Sequence, residues 1–159
     1  MKFRKINEKY LVDNNKDIVS VLKDVSFELN GIKNDFIYLH LNSFGMSFKT
    51  LHEKLDKYYN KLSDNLDYVL EIIAQYNSNE RECVPFNLND FNNYKGLNKN
   101  CLSSEESFVN SCLSVTYNLI SQLDILRDTI DNDSIISEID SIASYWTKEY
   151  NYLARRFVK

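Results

Sequence analysis

The chain has 159 residues, of which 43% are hydrophobic and 26% charged, and its formal net charge is −4. That is enough apolar material for a single globular domain, residues 1–159, with a core of its own. No apolar run approaches the ~20 residues that span a bilayer, and the first residues lack the apolar stretch of a secretory signal, so we expect no membrane contact and a cytoplasmic location. Three cysteines without a CxxC pair argue against a disulfide framework and suit a reducing compartment.

Helix breakers are scarce, with three Gly and one Pro, which predicts few turns and long helices. After an N-terminal tail of residues 1–15, apolar side chains recur every three or four residues over about 16–44 and predict a first helix that Gly45 would end. A second helix is predicted over about 47–76 from a similar apolar stripe. These two segments form the first predicted hairpin.

A polar, Asn-rich connection follows over about 77–100, with a short helix predicted around Leu88 to Tyr94. A connection of this length can run along a whole bundle and join two helical hairpins. A second hairpin of two helices follows this connection, so four helices are predicted, joined by a short, a long and a short link. This pattern predicts an all-α fold, expected as a ferritin-like four-helix bundle with an extra short helix in the crossover between helices 2 and 3.

The second hairpin is marked by its capping signals. Ser103 followed by Glu106 predicts a capping box for a third helix over about 104–130. The link of residues 131–133 then leads into a fourth helix over about 134–157.

Five side chains of the kinds that bind metals recur at fixed intervals, namely His40, His52, Asp56, Asp67 and Glu71. The last four lie on the predicted second helix, where about 100° of turn per residue brings them within an arc of about 100°. This arc is offset by roughly 130° from the apolar stripe, so the ligand face and the core face of the helix differ.

The spacing along this helix predicts a site shared between two copies of the chain. Each i, i+4 pair, His52 with Asp56 and Asp67 with Glu71, can converge on one ion. Asp56 and Asp67, however, lie roughly 16 Å apart along the axis, far beyond the ~2 Å of a metal–ligand bond. A two-fold axis would bring the second pair of one copy opposite the first pair of another, forming two equivalent sites.

A more specific resemblance covers residues 40–71, where the chain reads His40-Leu41-Asn42, then Phe48, Leu51-His52-Glu53 and Leu55-Asp56, and finally Asp67 and Glu71. These residues resemble the signature of the Dps-type mini-ferritins (DNA-protection-during-starvation proteins), and the intervals of 12, 4, 11 and 4 match that family's ferroxidase ligands. The resemblance implies twelve subunits in a hollow shell. It also implies iron sites that take His40, His52 and Asp56 from one subunit and Asp67 and Glu71 from its neighbour.

The implied activity is ferroxidase and iron storage, in which Fe(II) is oxidised with hydrogen peroxide or oxygen and the cell is protected from oxidative damage. Imidazoles and carboxylates suit Fe(II) while leaving open positions for an oxidant. The chain departs from the family at Leu41, where members usually carry Trp, but this change removes no ligand.

In the resembled shell the acids at the corner between helices 3 and 4 lie near three-fold axes, which implies a pore for iron lined by Asp131, Asp133 and Glu138. The same acids can instead complement the dipole at the start of the fourth helix.

DNA contact is a further implication of the family, and its candidate residues are Lys2, Arg4, Lys5 and Lys9 in the tail. The first ten and the last twelve residues each carry three net positive charges, whereas the whole chain is acidic. A solvated terminus explains such a short tail equally well. Two alternatives therefore remain open: a nucleoid protein that mainly binds DNA with secondary iron chemistry, and a metal-free helical interaction module.

Overall fold

The computed structural model of the chain describes residues 15–46, 48–77, 96–97 and 103–157. It contains four helices, α1 (Asn15–Leu41), α2 (Phe48–Asn77), α3 (Glu105–Thr129) and α4 (Asp133–Phe157), and these residues include no strand. The predicted all-helical class and the four long helices are confirmed, with boundaries that differ by three residues or fewer. The tail residues Lys2, Arg4, Lys5 and Lys9 and the short helix predicted around Leu88 lie outside the described residues. None of the four helices is apolar over a stretch long enough to cross a membrane.

The turn between α1 and α2 differs from the prediction that Gly45 ends the first helix. Helix α1 ends at Leu41, and the turn continues through Gly45, whose φ of +82° is a left-handed conformation that favours glycine. Its carbonyl accepts a hydrogen bond of 3.1 Å from the N–H of Phe48, the first residue of α2. A Cβ at Gly45 would lie 2.9 Å from Cδ of Glu105, which is near the free end of the first side chain of α3.

The start of α3 corrects a second prediction, the capping box of Ser103 and Glu106. Ser104 is the N-cap, and its hydroxyl accepts a hydrogen bond from the N–H of Ser107 at 3.1 Å. The Ser107 hydroxyl in turn accepts from the N–H of Ser104 at 2.9 Å. The box is shifted by one residue because a serine hydroxyl, rather than a glutamate, reaches back to the N-cap.

Contacts between side chains give the direction of each helix. In the first hairpin Phe36 contacts Tyr58 and His40 contacts His52, so residue numbers rise on α1 as they fall on α2. In the second hairpin Arg127 of α3 forms a 2.6 Å ion pair with Asp140 of α4. Helix α3 begins at the end of the bundle where α1 finishes, because the rings of Phe44 and Phe108 meet there at 5.6 Å.

Helices α2 and α4 are also antiparallel, which completes the topology. Glu149 of α4 bonds to Tyr58 near the start of α2, and Asp131, just before α4, accepts from Tyr76 near the end of α2. The connection from α2 to α3 therefore joins opposite ends of the bundle. On this connection Leu97 donates its N–H to the Asp35 carboxylate of α1. The four described helices are arranged in a way that is compatible with a four-helix bundle.

Trp146 of α4 lies at the centre of the core and is fully buried. Its ring stacks on Phe36 of α1 at 5.8 Å and meets Tyr58 of α2 edge to face at 5.4 Å. Its indole N–H donates a 3.0 Å hydrogen bond to the side chain of Asn65, which is 4% exposed. One residue thus links three helices and satisfies the buried amide oxygen that faces it.

Candidate metal site

The two histidines of the chain meet at one end of the first hairpin. His40 lies in the last turn of α1 and His52 near the start of α2, and the short turn between the helices brings the two rings together. The ring centroids are 3.9 Å apart with planes inclined by 25°. The structure therefore places two of the predicted ligands side by side although they are twelve residues apart in the sequence.

Backbone carbonyls hold both imidazoles in one tautomer. Nδ1 of His40 lies 3.1 Å from the carbonyl oxygen of His52, and Nδ1 of His52 lies 3.2 Å from the carbonyl oxygen of His40. A carbonyl can only accept, so each Nδ1 must carry the proton and donate it. In the neutral form of each ring, Nε2 then carries the lone pair and is the atom that can bind a metal ion.

Ser43 reinforces this arrangement from within the turn. Its hydroxyl donates to the carbonyl oxygen of His40 at 2.9 Å, and its oxygen lies 3.0 Å from Nδ1 of His52. Because the Ser43 proton is directed to the carbonyl, the serine oxygen is free to accept from Nδ1 of His52. The turn that joins the two helices thereby also orients one of the imidazoles.

Asp56 lies one turn after His52 on the same face of α2 and is partly exposed. Its Oδ1 accepts a 2.6 Å hydrogen bond from the hydroxyl of Tyr59. That hydrogen bond, together with partial burial, raises the pKa of the Tyr59 phenol. The Tyr59 ring also meets the His40 ring edge to face at 5.5 Å, so the tyrosine contacts both a carboxylate and an imidazole of the predicted set.

The other two predicted ligands are Asp67 and Glu71, farther along α2, and both are exposed. They share the face of α2 that carries His52 and Asp56, whereas the buried residues of the helix, such as Leu55 and Leu62, occupy another face. In the part of the chain that the structure describes, no three His, Cys, Asp or Glu side chains form a group that could hold one metal ion.

Exposed apolar side chains occur in the same segment of the chain as the histidine pair. They belong to the end of α1, the turn and the start of α2, and they are Leu41 (73% exposed), Phe44 (37%), Met46 (99%) and Phe48 (44%). The Phe48 ring also stacks on the His52 ring at 5.0 Å. We call these four residues the apolar rim. An exposed cluster of this kind beside polar ligands is typical of a contact surface.

The three acids predicted to line a pore, Asp131, Asp133 and Glu138, lie at and after the link between α3 and α4 and are all exposed. Two of them have partners on α2. Asp131 accepts a 2.7 Å bond from Tyr76. Burial and a hydrogen bond to Glu138 raise the pKa of Tyr68 to about 12. Asp133 is the first residue of α4, where its charge complements the helix dipole.

Sequence reasoning missed a polar cluster that lies between α2 and α4. Glu149 accepts hydrogen bonds from Lys54 at 2.6 Å and from the buried Tyr58 hydroxyl at 2.7 Å. Burial, followed by the bond to Glu149, raises the pKa of Tyr58. Tyr58 occupies a position in the apolar stripe, and its partner lies 91 residues away in the sequence, so no local pattern indicates the pair.

Comparison with protein-family models found no match to this chain, and comparison with curated proteins found none either.

Proposed function

We propose that the protein is a shell-forming ferroxidase and iron store of the Dps type, which works in the cytoplasm and oxidises Fe(II) at sites shared between two subunits. The observation that carries the proposal is the stacked pair of His40 and His52, with both Nδ1 atoms held by backbone carbonyls. Hydrogen bonding of one ring nitrogen to a carbonyl is the usual support for a histidine whose other nitrogen binds a metal. Reciprocal bonds of this kind on adjacent rings prepare two nitrogen donors at once.

The donor set suits ferrous iron as the substrate. Imidazole nitrogens and carboxylate oxygens bind Fe(II), and a site with few protein ligands leaves positions open for an oxidant. Two Fe(II) ions that together give two electrons to one hydrogen peroxide, with two protons, yield two Fe(III) ions and two water molecules. The chain contributes the donors that keep the ions close to one another, and the oxidised iron would be stored as mineral.

Completion of the site by a second subunit is supported by two features. Asp67 and Glu71 are exposed on the ligand face of α2 but are roughly 16 Å or more from Asp56 along the helix axis. The apolar rim beside the histidines offers a surface that an adjoining subunit would cover. A two-fold axis across α2 would place the rim in a contact and bring the second carboxylate pair to the histidines.

The resemblance to the Dps-type mini-ferritins supports four further parts of the proposal. They are a ferritin-like bundle, a short helix in the crossover, a shell of twelve subunits and an iron pore lined by Asp131, Asp133 and Glu138. The hydrogen bonds of Tyr76 and Tyr68 to two of these acids fix carboxylates at the corner between α3 and α4. Fixed acids at a pore would attract cations.

A second candidate function, DNA binding, is favoured by one observation on α4. The basic side chains Lys148, Arg155 and Arg156 line a shallow depression on this helix together with Asn151 and Tyr152. Lys and Arg side chains on one face can neutralise phosphates, in addition to those predicted in the tail. A gel-shift titration with duplex DNA at low salt tests this candidate. Retardation that Arg155→Glu/Arg156→Glu weakens would support it, and no retardation of the unaltered protein would remove it.

The ferroxidase proposal is tested by size-exclusion chromatography combined with an Fe(II) oxidation assay using hydrogen peroxide. We expect an assembly much larger than the 18.7 kDa chain and oxidation well above the rate without protein. His52→Ala and Asp67→Ala/Glu71→Ala should each lower the rate strongly. Asp64→Ala removes an exposed acid of α2 outside the ligand set and is the matched control, which should keep the rate. A monomer that oxidises no iron would refute the proposal.

A further inference from the structure

The carboxylate of Asp56 does not stand alone beside the histidines, because Tyr59 lies one turn after it on α2. The Tyr59 hydroxyl donates to Oδ1 of Asp56 at 2.6 Å, a short hydrogen bond of the charge-assisted kind. Asn60 adds to the same network, since its side chain donates to the backbone carbonyl of Asp56 at 2.8 Å and hydrogen bonds to the phenol of Tyr59. One oxygen of Asp56 is therefore engaged within the protomer.

The ring of Tyr59 makes a separate contact with α1. It lies edge to face against the His40 imidazole, with centroids 5.5 Å apart and an angle of 75° between the planes. The tyrosine is partly buried and also packs against the hydrophobic core. Tyr59 thus touches a nitrogen donor of α1 and an oxygen donor of α2 from a position that the core holds in place.

We propose that Tyr59 is a positioning residue for the metal site, in which its hydroxyl occupies Oδ1 of Asp56 and leaves Oδ2 as the oxygen for the ion. Asp56 would then bind through one oxygen, in a fixed orientation relative to His40 and His52. This inference rests on the proposed function and adds to it a residue that touches no iron. Without the phenol, Asp56 could rotate about its side chain, and part of the binding energy would be lost in ordering it again.

The test is Tyr59→Phe, which keeps the ring against His40 and the core but removes the hydroxyl. Binding of Co(II), a cation that is not oxidised in the assay, is titrated to equilibrium on the assembled protein and followed by its visible absorption. We expect affinity to fall about tenfold, which is the effect of removing an outer hydrogen-bond partner of a metal ligand. The absorption bands should also shift, because a freed carboxylate changes the geometry around the ion.

Tyr117→Phe is the control. It also removes one phenol hydroxyl, but from a tyrosine of α3 that is 62% exposed and belongs to neither the proposed site nor the proposed pore. We expect its Co(II) affinity and spectrum to equal those of the unaltered protein. Asp56→Asn supplies a second check, because Tyr59→Phe should cause no further loss of affinity in that background if it acts through Asp56.

The outcomes distinguish the role of Tyr59 from the existence of the metal site. Unchanged affinity and bands in Tyr59→Phe, alongside loss of binding in His52→Ala, would overturn the role of Tyr59 and leave the proposed function standing. Unchanged binding in His52→Ala would refute the metal site itself. A large drop in the thermal midpoint of Tyr59→Phe would show that the hydroxyl serves folding, which would also overturn the inference.

Discussion

Replacing Tyr58 with Phe removes one hydroxyl from the boundary between α2 and α4 and leaves the ring in place. That ring is fully buried and contacts Phe36 and Trp146, so packing should change little. The hydroxyl donates to Glu149 at 2.7 Å, and Lys54 bonds to the same carboxylate at 2.6 Å. After the replacement Glu149 would keep its lysine but lose its donor on the inner side.

The expected cost follows from the type of bond and from the exposure of its acceptor. A hydrogen bond to a charged group contributes about 1.5–3 kcal/mol to stability. The Glu149 side chain is 17% exposed, so water can replace part of the lost bond, and the lower figure of about 1.5 kcal/mol applies. For a protein of this size that corresponds to a decrease of about 3–6 °C in the thermal midpoint.

Urea unfolding at one fixed chain concentration measures the effect, since assembly adds to apparent stability. Tyr117→Phe is the control, because Tyr117 is 62% exposed and its replacement should change stability by less than about 0.5 kcal/mol. A double-mutant cycle with Lys54→Met should show coupling through Glu149. If Tyr58→Phe proves as stable as the unaltered protein, the buried hydrogen bond contributes nothing and the reasoning is wrong.

Gly45→Ala should destabilise the protein by about 1–2 kcal/mol in thermal melts, because φ is +82° and the new Cβ would lie 2.9 Å from Cδ of Glu105. Adding Glu105→Ala should restore only the part due to that clash, and full recovery would argue against backbone strain at Gly45. Stability should also fall between pH 10 and 12, because Tyr68 and Tyr76 have pKa values of about 12 in the fold against 10.0 ordinarily. Their contribution is complete below pH 10, where both states are protonated, and is lost as pH rises through 12. Unfolding in urea at pH 9 and pH 11 measures this loss, which should be smaller in Tyr76→Phe; an equal loss would contradict the assignment.

Helix periodicity was sufficient to predict the four helices and the separate faces of α2. Leu51 and Leu55 are buried while His52 and Asp56 lie at the partly exposed side, as the angular positions require. Such predictions succeed because the spacing of side chains on a helix depends on local geometry alone. The interval from Asp56 to Tyr59 obeys the same rule, so the 2.6 Å bond between them could have been anticipated from the sequence.

Features that depend on distant parts of the chain could not be predicted in this way. Glu149 meets Tyr58 only after α2 and α4 pack together, and Asn65 meets Trp146 for the same reason. The capping box failed for a different cause: adjacent serines offer alternative N-caps, and the sequence alone does not fix which hydroxyl is used. Glycine commonly ends helices, which favours Gly45 as the end of α1, whereas the structure uses its left-handed φ within the turn after the helix.

The shared site is tested most directly by mixing two inactive chains. A His52→Ala chain keeps its own Asp67 and Glu71, and an Asp67→Ala/Glu71→Ala chain keeps its own histidines. Random assembly at equal amounts makes about half of the two-fold interfaces mixed, and each mixed interface holds one intact site of its two. We predict that dissociating and reassembling the mixture restores about a quarter of the unaltered rate of Fe(II) oxidation. Mixed assemblies that oxidise iron no faster than either parent would contradict it.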